Sequence, residues 1–258
     1  MKSSSCLSTA LLGLSLLFAS TGAQAASDVR TVGSSNLRFG VVDLTPNDGR
    51  AADFRVNTVS TELYMWFSPR DWSIPNVSEH YSVGAGPHTL ERNLRGAYAD
   101  ITLGATPGNT DIRYRSETSN PIHVDITAGY KQTIALTLKA HSLLTVNGTA
   151  HQSLANSYPP GIHTPSGQFS ASLSGVGPGS SQSDFIMIID QPWRDFSRSQ
   201  DFQLAYANLS DHDITVNLSL AGNVSAHPVP EPATYAMLGA GLALLGLTAR
   251  RRPRRHEA

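Results

Sequence analysis

Apolar and polar residues alternate along much of the chain between residues 26 and 228. In the run FQLAYAN, at 202–208, every second residue is large and apolar until the run ends, and the residues between are polar or small. A period of two is typical of a β-strand with one buried side. The same pattern predicts strands at 37–43, 97–103, 122–127, 132–138, 168–174, 184–190, 202–208 and 213–220.

Turn-forming residues separate these runs, at 45–49, 105–110, 174–181 and 208–213. They are rich in Gly, Pro, Asn, Asp and Ser, and no segment between 26 and 228 shows a sustained helical period with caps. Many short strands with loop-rich connections are typical of two antiparallel sheets packed face to face. We therefore predict an all-β body at 26–228, an antiparallel β-sandwich or jelly-roll-like fold with Ser, Thr and Asn facing outward.

The first 25 residues have the layout of a secretory signal peptide. Lys2 provides a short positive region, the run 11–19 is apolar but too short to span a bilayer, and Ala23-Gln24-Ala25 offers a site for cleavage. We therefore predict a signal peptide at 1–25 and an exported body.

A second apolar run, at 233–249, precedes a cluster of five arginines near the C-terminus. As a helix rising about 1.5 Å per residue, the run would extend about 25 Å, slightly less than the ~30 Å hydrocarbon core of a bilayer. Arginines directly after an apolar helix indicate its cytoplasmic end. We predict a single transmembrane helix with the body outside, oriented by Arg250, Arg251, Arg252, Arg254 and Arg255.

Pro230, Glu231 and Pro232 stand just before this apolar run. The two prolines favour an extended backbone that a processing enzyme can grip. The order of a Pro-Glu-Pro motif, a Gly-containing apolar helix and an arginine cluster, at 229–255, resembles the PEP-CTERM sorting signal of exopolysaccharide-producing Gram-negative bacteria. The resemblance implies that exosortase processes the protein. It also implies transient anchoring in the inner membrane with the body in the periplasm, followed by release or attachment at the cell surface.

Charge and cysteine content exclude several functions. The segment 26–232 has 13 Lys and Arg against 19 Asp and Glu, a net charge of −6, so the arginine cluster is more simply explained by the membrane than by nucleic acid. The single cysteine, Cys6, lies within the predicted signal peptide. A cysteine nucleophile and a thiolate metal site are therefore excluded from the mature chain, and no cofactor is predicted.

Common catalytic signatures are absent from the sequence. We find no GxSxG elbow, HExxH pair, P-loop or GxGxxG turn, and no two histidines have the spacing of a metal site. We therefore name no catalytic, cofactor-binding or metal-ligating residue. A Ser-His-Asp triad assembled from distant segments stays open, because triads are defined in space.

Two acidic segments could bind an ion, although each is more simply a turn. The first contains Asp43, Asn47, Asp48 and Asp53, hard oxygen ligands that suit calcium but lack the order of a known calcium loop. The second is Asp211-His212-Asp213, which is typical of a hairpin tip.

Aromatic residues suggest a different kind of site. The segment 62–72 holds Tyr64, Trp66, Phe67 and Trp72, and strand alternation places Tyr64 and Trp66 on the side opposite to Phe67. Exposed flat rings can bind sugars, so Trp66, Trp72 and, in a predicted loop, Trp193 are candidate glycan contacts.

Three functions are compatible with these features. The preferred one is a non-enzymatic surface or matrix protein that associates with exopolysaccharide, with a biofilm, or with other copies of itself. The second is a carbohydrate-binding module that uses exposed aromatic rings. The third is a secreted hydrolase whose active site has no recognisable motif.

Overall fold

A computed structural model describes residues 27–117, 124–156, 163–176, 182–188, 195–228 and the isolated position 242. Position 242 aside, these residues form strands and the turns between them. The strands are β1 (Ser27–Asp43), β2 (Phe54–Pro69), β3 (Val77–Val83), β4 (His88–Leu94), β5 (Ala97–Leu103), β6 (Thr110–Glu117), β7 (Val124–Leu138), β8 (Ser142–Asn156), β9 (His163–Gly175), β10 (Gln182–Ile188), β11 (Phe196–Asn208) and β12 (Ile214–Pro228).

The strands form two six-stranded sheets. Sheet A has the order β11-β8-β1-β6-β5-β4, and sheet B has the order β10-β9-β12-β7-β2-β3. Every neighbouring pair is antiparallel. The prediction of an all-β body with two antiparallel sheets is thereby confirmed, whereas the predicted signal peptide and transmembrane helix fall outside the described residues, apart from Leu242.

The core lies between the two sheets and is filled by alternate residues of each strand. In β7, for example, Ile126, Ile134 and Leu136 are almost completely buried, while the residues between them are more exposed. Towards one side of the sandwich, Phe169, Phe185 and Phe202 form a cluster whose ring centroids are 5.3 to 6.2 Å apart. The two sheets are therefore held together mainly by burial of apolar surface.

A bulge at Asn36 lets β1 present the same side to the core before and after it. The pairing with β8 shifts between Ser35 and Arg38, and Asn36 has a φ of 58°. Before the bulge, Val32 faces the core from an even position; after it, Phe39 packs on the core from an odd one. One extra residue therefore corrects the phase of the alternation.

A buried polar network also joins the two sheets. The Thr110 hydroxyl of sheet A donates a hydrogen bond of 2.5 Å to the Tyr130 hydroxyl of sheet B. The hydroxyl oxygens of Ser34 and Thr110, both in sheet A, are 3.1 Å apart. The side chain of Gln132 accepts from the Gly108 amide at 2.7 Å and donates to Thr61 at 3.0 Å. The network fixes the β5–β6 turn against sheet B, because polar groups buried at this depth require their partners.

Burial raises the pKa of the Tyr130 phenol to about 12. Above its usual pKa of about 10 the unfolded chain releases this proton while the folded chain keeps it, so stability is lost as the pH rises from about 10 to about 12. We expect the Tyr130→Phe variant to be about 1 kcal/mol less stable at neutral pH. Its free energy of unfolding in urea should fall less than that of the wild type between about pH 9 and pH 11. Equal losses in both proteins would contradict this role.

The structure extends and corrects the predicted strand pattern. The runs 122–127 and 132–138 were predicted as separate strands, but β7 continues through both of them. Inward and outward positions alternate through the whole strand, but the outward Gly129 lies beneath a tyrosine ring and the inward Gln132 is polar, so the residue types do not show the alternation there. The alternation had also not predicted β2, β3, β4, β6 and β8, while β10 lies two residues earlier than expected.

Both ends of the body's described chain lie at one end of the sandwich. Ser27 begins β1 opposite Glu117, and Pro228 ends β12 opposite His163. β2 ends and β7 begins at this same end, where Pro69 pairs with Val124. We call it the exit end, because the chain leaves the body there towards the predicted sorting segment.

Among the residues that the structure describes, no helix has the length and hydropathy to cross a bilayer.

Candidate functional site

Strand β2 presents two aromatic rings on the outer surface of sheet B. Met65 and Phe67 point into the core and are 1% exposed, whereas Trp66 between them is 49% exposed. Tyr64 lies on the same outer surface and is half-buried. The expected separation of Tyr64 and Trp66 from Phe67 is therefore seen, and Trp66 is available to a partner.

Tyr64 lies flat against the sheet because its neighbour on β7 has no side chain. Tyr64 pairs with Gly129, and a Cβ atom added at Gly129 would overlap the tyrosine ring and hydroxyl. Burial against the sheet raises the pKa of Tyr64. The glycine thus allows the ring to form a flat apolar surface beside Trp66 instead of projecting into solvent.

Polar side chains extend this aromatic surface across five strands. Trp66 lies between Ser78 and Thr127 of the adjacent strands, and Ser225 and Ser166 continue the row with hydroxyl oxygens 2.6 Å apart. Four strand spacings give such a row a length of about 19 Å. The parallel row that contains Tyr64 consists of His80, Tyr64, Gly129, Asn223 and Gln168.

We call these two rows, which contain Tyr64 and Trp66 on β2, the aromatic face. It offers a flat apolar surface together with hydroxyl, amide and imidazole groups that can donate and accept hydrogen bonds. Sequence reasoning pointed to Trp66 but missed Asn223, Ser225 and Gln168. Their outward positions follow from the alternation, but which strands lie beside β2 does not.

The other candidate glycan contacts do not belong to the aromatic face. Trp72 is fully exposed, but it lies in the turn between β2 and β3 at the exit end. Trp193 lies outside the described residues. Of the two predicted contacts that the structure describes, Trp66 is accompanied by a second ring and by rows of polar side chains, and Trp72 is not.

A separate polar concavity lies on the outer surface of sheet A, beside the bulge at Asn36. It has a volume of about 600 Å³. Arg38, Asn147 and Asp201 are among the residues that line it. Its polar groups could bind a sugar or an ion, but no exposed aromatic ring is among its lining residues.

The first acidic segment forms a turn through its own hydrogen bonds. Asp43 accepts a bond from the Thr45 amide at 2.9 Å, and Asp48 accepts from the Thr45 hydroxyl and the Arg50 amide, both at 2.8 Å. The bond from the Arg50 amide is the main cause of the lowered pKa of Asp48. These carboxylates therefore accept hydrogen bonds that stabilise the turn, as expected of a turn sequence.

The second acidic segment is not the predicted hairpin tip, because β11 belongs to sheet A and β12 to sheet B; it lies in the turn between the sheets and contacts the β7–β8 turn. Asp211 contacts the His141 ring at 2.8 Å, and Asp213 accepts a bond from the Ala140 amide at 3.2 Å. In the described part of the chain, no three His, Cys, Asp or Glu side chains converge in the manner of a metal site.

One arrangement on sheet A resembles part of a catalytic triad. His151 Nε2 lies 2.6 Å from an Asp111 carboxylate oxygen, and Ser199 pairs with His151 across the neighbouring strand. However, the Ser199 hydroxyl bonds to the Ala150 carbonyl at 3.5 Å, and the side chains of His151 and Asp111 are 30% and 50% exposed. Nucleophilic catalysis needs a serine hydroxyl bonded to the base, so we interpret this pair as a surface ion pair.

A known sequence family matches the C-terminal end of the chain. Residues 228–252 match the PEP-CTERM protein-sorting motif. The chain therefore carries the C-terminal sorting signal of exported proteins, which implies a membrane-anchored stage on the way to the cell surface or beyond. The match includes Pro230, Glu231 and Pro232 and implies processing by exosortase. Neither a curated protein nor a solved structure matches the chain.

Proposed function

We propose that this exosortase-sorted protein is a non-enzymatic surface protein whose body binds extracellular polysaccharide through the aromatic face. The half-exposed Trp66 beside Tyr64 is the observation on which the proposal depends. The C–H side of a pyranose ring is apolar and flat, so it packs on an aromatic ring, while the sugar hydroxyls bond to polar groups around it. Such binding would retain the protein in a biofilm or in the extracellular matrix.

The shape of the aromatic face favours a polymer over a small ligand. Its polar rows run across the strands on an open surface, and adjacent strands are separated by about 4.8 Å, close to the length of one sugar unit. An extended glycan could therefore meet a new polar side chain at each strand, among them Thr127, Ser225 and Ser166. Many weak contacts along a chain favour adhesion to a matrix.

The arrangement of charged groups also agrees with a protein that works by binding and not by catalysis. The Asp111–His151 pair was the strongest geometric candidate for catalysis, and its geometry suits a surface ion pair better than a nucleophile. On this proposal, exosortase sorting brings the protein to the surface, and binding to the polymer holds it there. A hydrolase is the weaker candidate.

The Trp66→Ala variant tests this proposal directly. We expect the mature protein recovered from producing cells to bind the producer's own exopolysaccharide. Because a central tryptophan typically contributes about 2 kcal/mol to an interface, this variant should bind at least about tenfold more weakly. Binding can be measured by co-sedimentation with the polymer over a range of salt.

Trp72→Ala is the matched control, because it removes the same type of exposed ring from a different part of the molecule. Circular dichroism should show the same strand content in both variants and in the wild type. If Trp66→Ala bound as well as the wild type, or if Trp72→Ala weakened binding equally, the assignment to the aromatic face would be wrong.

A further inference from the structure

The loop between β2 and β3, residues 70–76, presents a tryptophan at the exit end. Its turn is held by the Ser73 amide and hydroxyl, which donate to the Asp71 carboxylate at 2.9 and 2.7 Å, and by the Ile74 amide, which donates to the Asp71 carbonyl at 3.0 Å. Trp72 lies within this turn and is fully exposed. The ring is therefore held in solvent by an ordered turn. We call residues 70–76 the Trp72 loop.

The Trp72 loop combines an apolar ring with nearby positive charge. Arg70 is exposed, and Arg95 of the neighbouring β4–β5 turn is close enough to lower the pKa of Asp71, after the hydrogen bonds from Ser73. Trp72, Ile74 and Pro75 are among the residues that line a concavity of about 580 Å³. Tryptophan and arginine together are typical of protein surfaces at the boundary between lipid and water.

The Trp72 loop is joined to the point where the chain leaves the body. Asp125 contacts both Arg70, at 3.5 Å, and His227, at 3.3 Å. His227 is the penultimate residue of β12. Strand β12 is separated from β2 by β7 alone, which places the two strands about 10 Å apart. The loop and the chain exit thus form one continuous surface.

The sequence limits how far this surface can lie from the membrane. Only the four residues 229–232 separate Pro228 from the apolar run that begins at Ala233. Even a fully extended chain covers at most about 18 Å between Pro228 and Ala233. While the precursor is anchored, the exit end is therefore held within reach of the headgroup region.

We propose that the Trp72 loop contacts the membrane surface in the anchored precursor and holds the exit end against the lipid headgroups. The contact is made by the Trp72 ring at the interface, with Arg70 and Arg95 beside it, and it keeps the Pro-Glu-Pro motif at the level where the processing enzyme works. This proposed contact depends on the membrane-anchored stage that the sorting motif implies, and not on binding of glycan by the aromatic face.

The partner follows from the position and surroundings of Trp72. Unlike Trp66, it has no companion ring or rows of polar side chains for a sugar polymer within the described part of the chain, and it lies at the end where the chain leaves the body. The body has a net charge of −6 over 26–232, so attraction to anionic lipid does not explain the contact. We therefore expect it to depend on the apolar ring and to change little with salt.

Single-tryptophan precursors test the proposal. The full-length chain with Trp66→Phe and Trp193→Phe retains Trp72 as its one tryptophan, and the matched chain with Trp72→Phe and Trp193→Phe retains Trp66. Both are placed in phosphatidylethanolamine and phosphatidylglycerol vesicles that contain lipid brominated close to the headgroup. Because bromine quenches only nearby rings at the interface, we expect the emission of Trp72 to fall about twofold or more and that of Trp66 to change little.

Two further measurements make the result decisive. The chain that has lost its C-terminal apolar run should show no lipid quenching of Trp72 in the same vesicles, because a single interfacial ring binds a membrane only weakly. Added exopolysaccharide should leave the Trp72 signal of the anchored precursor unchanged. Equal, low lipid quenching of Trp72 and Trp66 in the anchored chains would overturn the proposal, as would protection of Trp72 by polysaccharide but not by lipid.

Discussion

Replacing Pro230, Glu231 and Pro232 with alanine leaves the protein in cells as an unprocessed, membrane-bound precursor. The match to the sorting motif at 228–252 makes exosortase processing the step that frees the body from its anchor. Alanine removes the fixed backbone of the two prolines and the one charge between them, so the enzyme loses the features that it reads. We expect release to be almost abolished, as measured by immunoblots of membrane and extracellular fractions.

A variant that keeps the motif serves as the control for this experiment. Substituting Val229 with alanine leaves Pro-Glu-Pro intact and should allow normal release. Mass spectrometry of the released wild-type protein should find no peptide from the apolar run 233–249. Recovery of the triple-alanine protein outside the cell at wild-type levels would show that the motif is not what directs its sorting.

The Phe169→Ala variant should lose about 3 to 5 kcal/mol of stability, a large part of the total for an ordinary domain. Phe169 is completely buried and contacts Phe185 and Phe202, so its truncation leaves a cavity where three rings meet. Urea unfolding of the mature protein should show a lower midpoint. The slope of the unfolding free energy against urea concentration should stay unchanged, because this slope depends on the surface exposed on unfolding.

Ile186→Ala is the matched control on the adjacent strand. Its side chain is 58% exposed on the outer surface of β10, so we expect a change within about 0.5 kcal/mol. Similar losses in the two variants would mean that burial between the sheets does not dominate the stability of this body.

The sequence predicted the class of fold because period-two alternation is a local signal. It predicted the whole of β5 and the second half of β11, where the inward residues are apolar and contrast with the residues between them. It missed β8, whose inward positions include Gly148, Ala150 and Gln152, none of which stands out from a polar neighbour. Strand prediction failed where the core accepts small or polar residues.

The candidate site was only partly predictable for a related reason. The alternation placed Trp66 and Tyr64 on one side of a strand, but it could not show which side faces solvent. The role of Gly129 depends on the pairing of β2 with β7, and the contribution of Asn223 depends on the pairing of β12 with β7. Pairings between strands far apart in sequence follow from the whole fold, and no local pattern contains them.

The location of Ser27 and Pro228 at one end of the sandwich has a consequence for export. Because the anchored chain leaves the body at this end, the exit end faces the membrane and the opposite pole of the sandwich points away from it. The turns at 44–53, 139–141 and 209–213 are joined by backbone hydrogen bonds at that opposite pole, so they form the part of the body farthest from the membrane. Peptide tags inserted in these turns should therefore be accessible to antibodies in spheroplasts that carry the anchored precursor, and equally accessible on the protein once it is released.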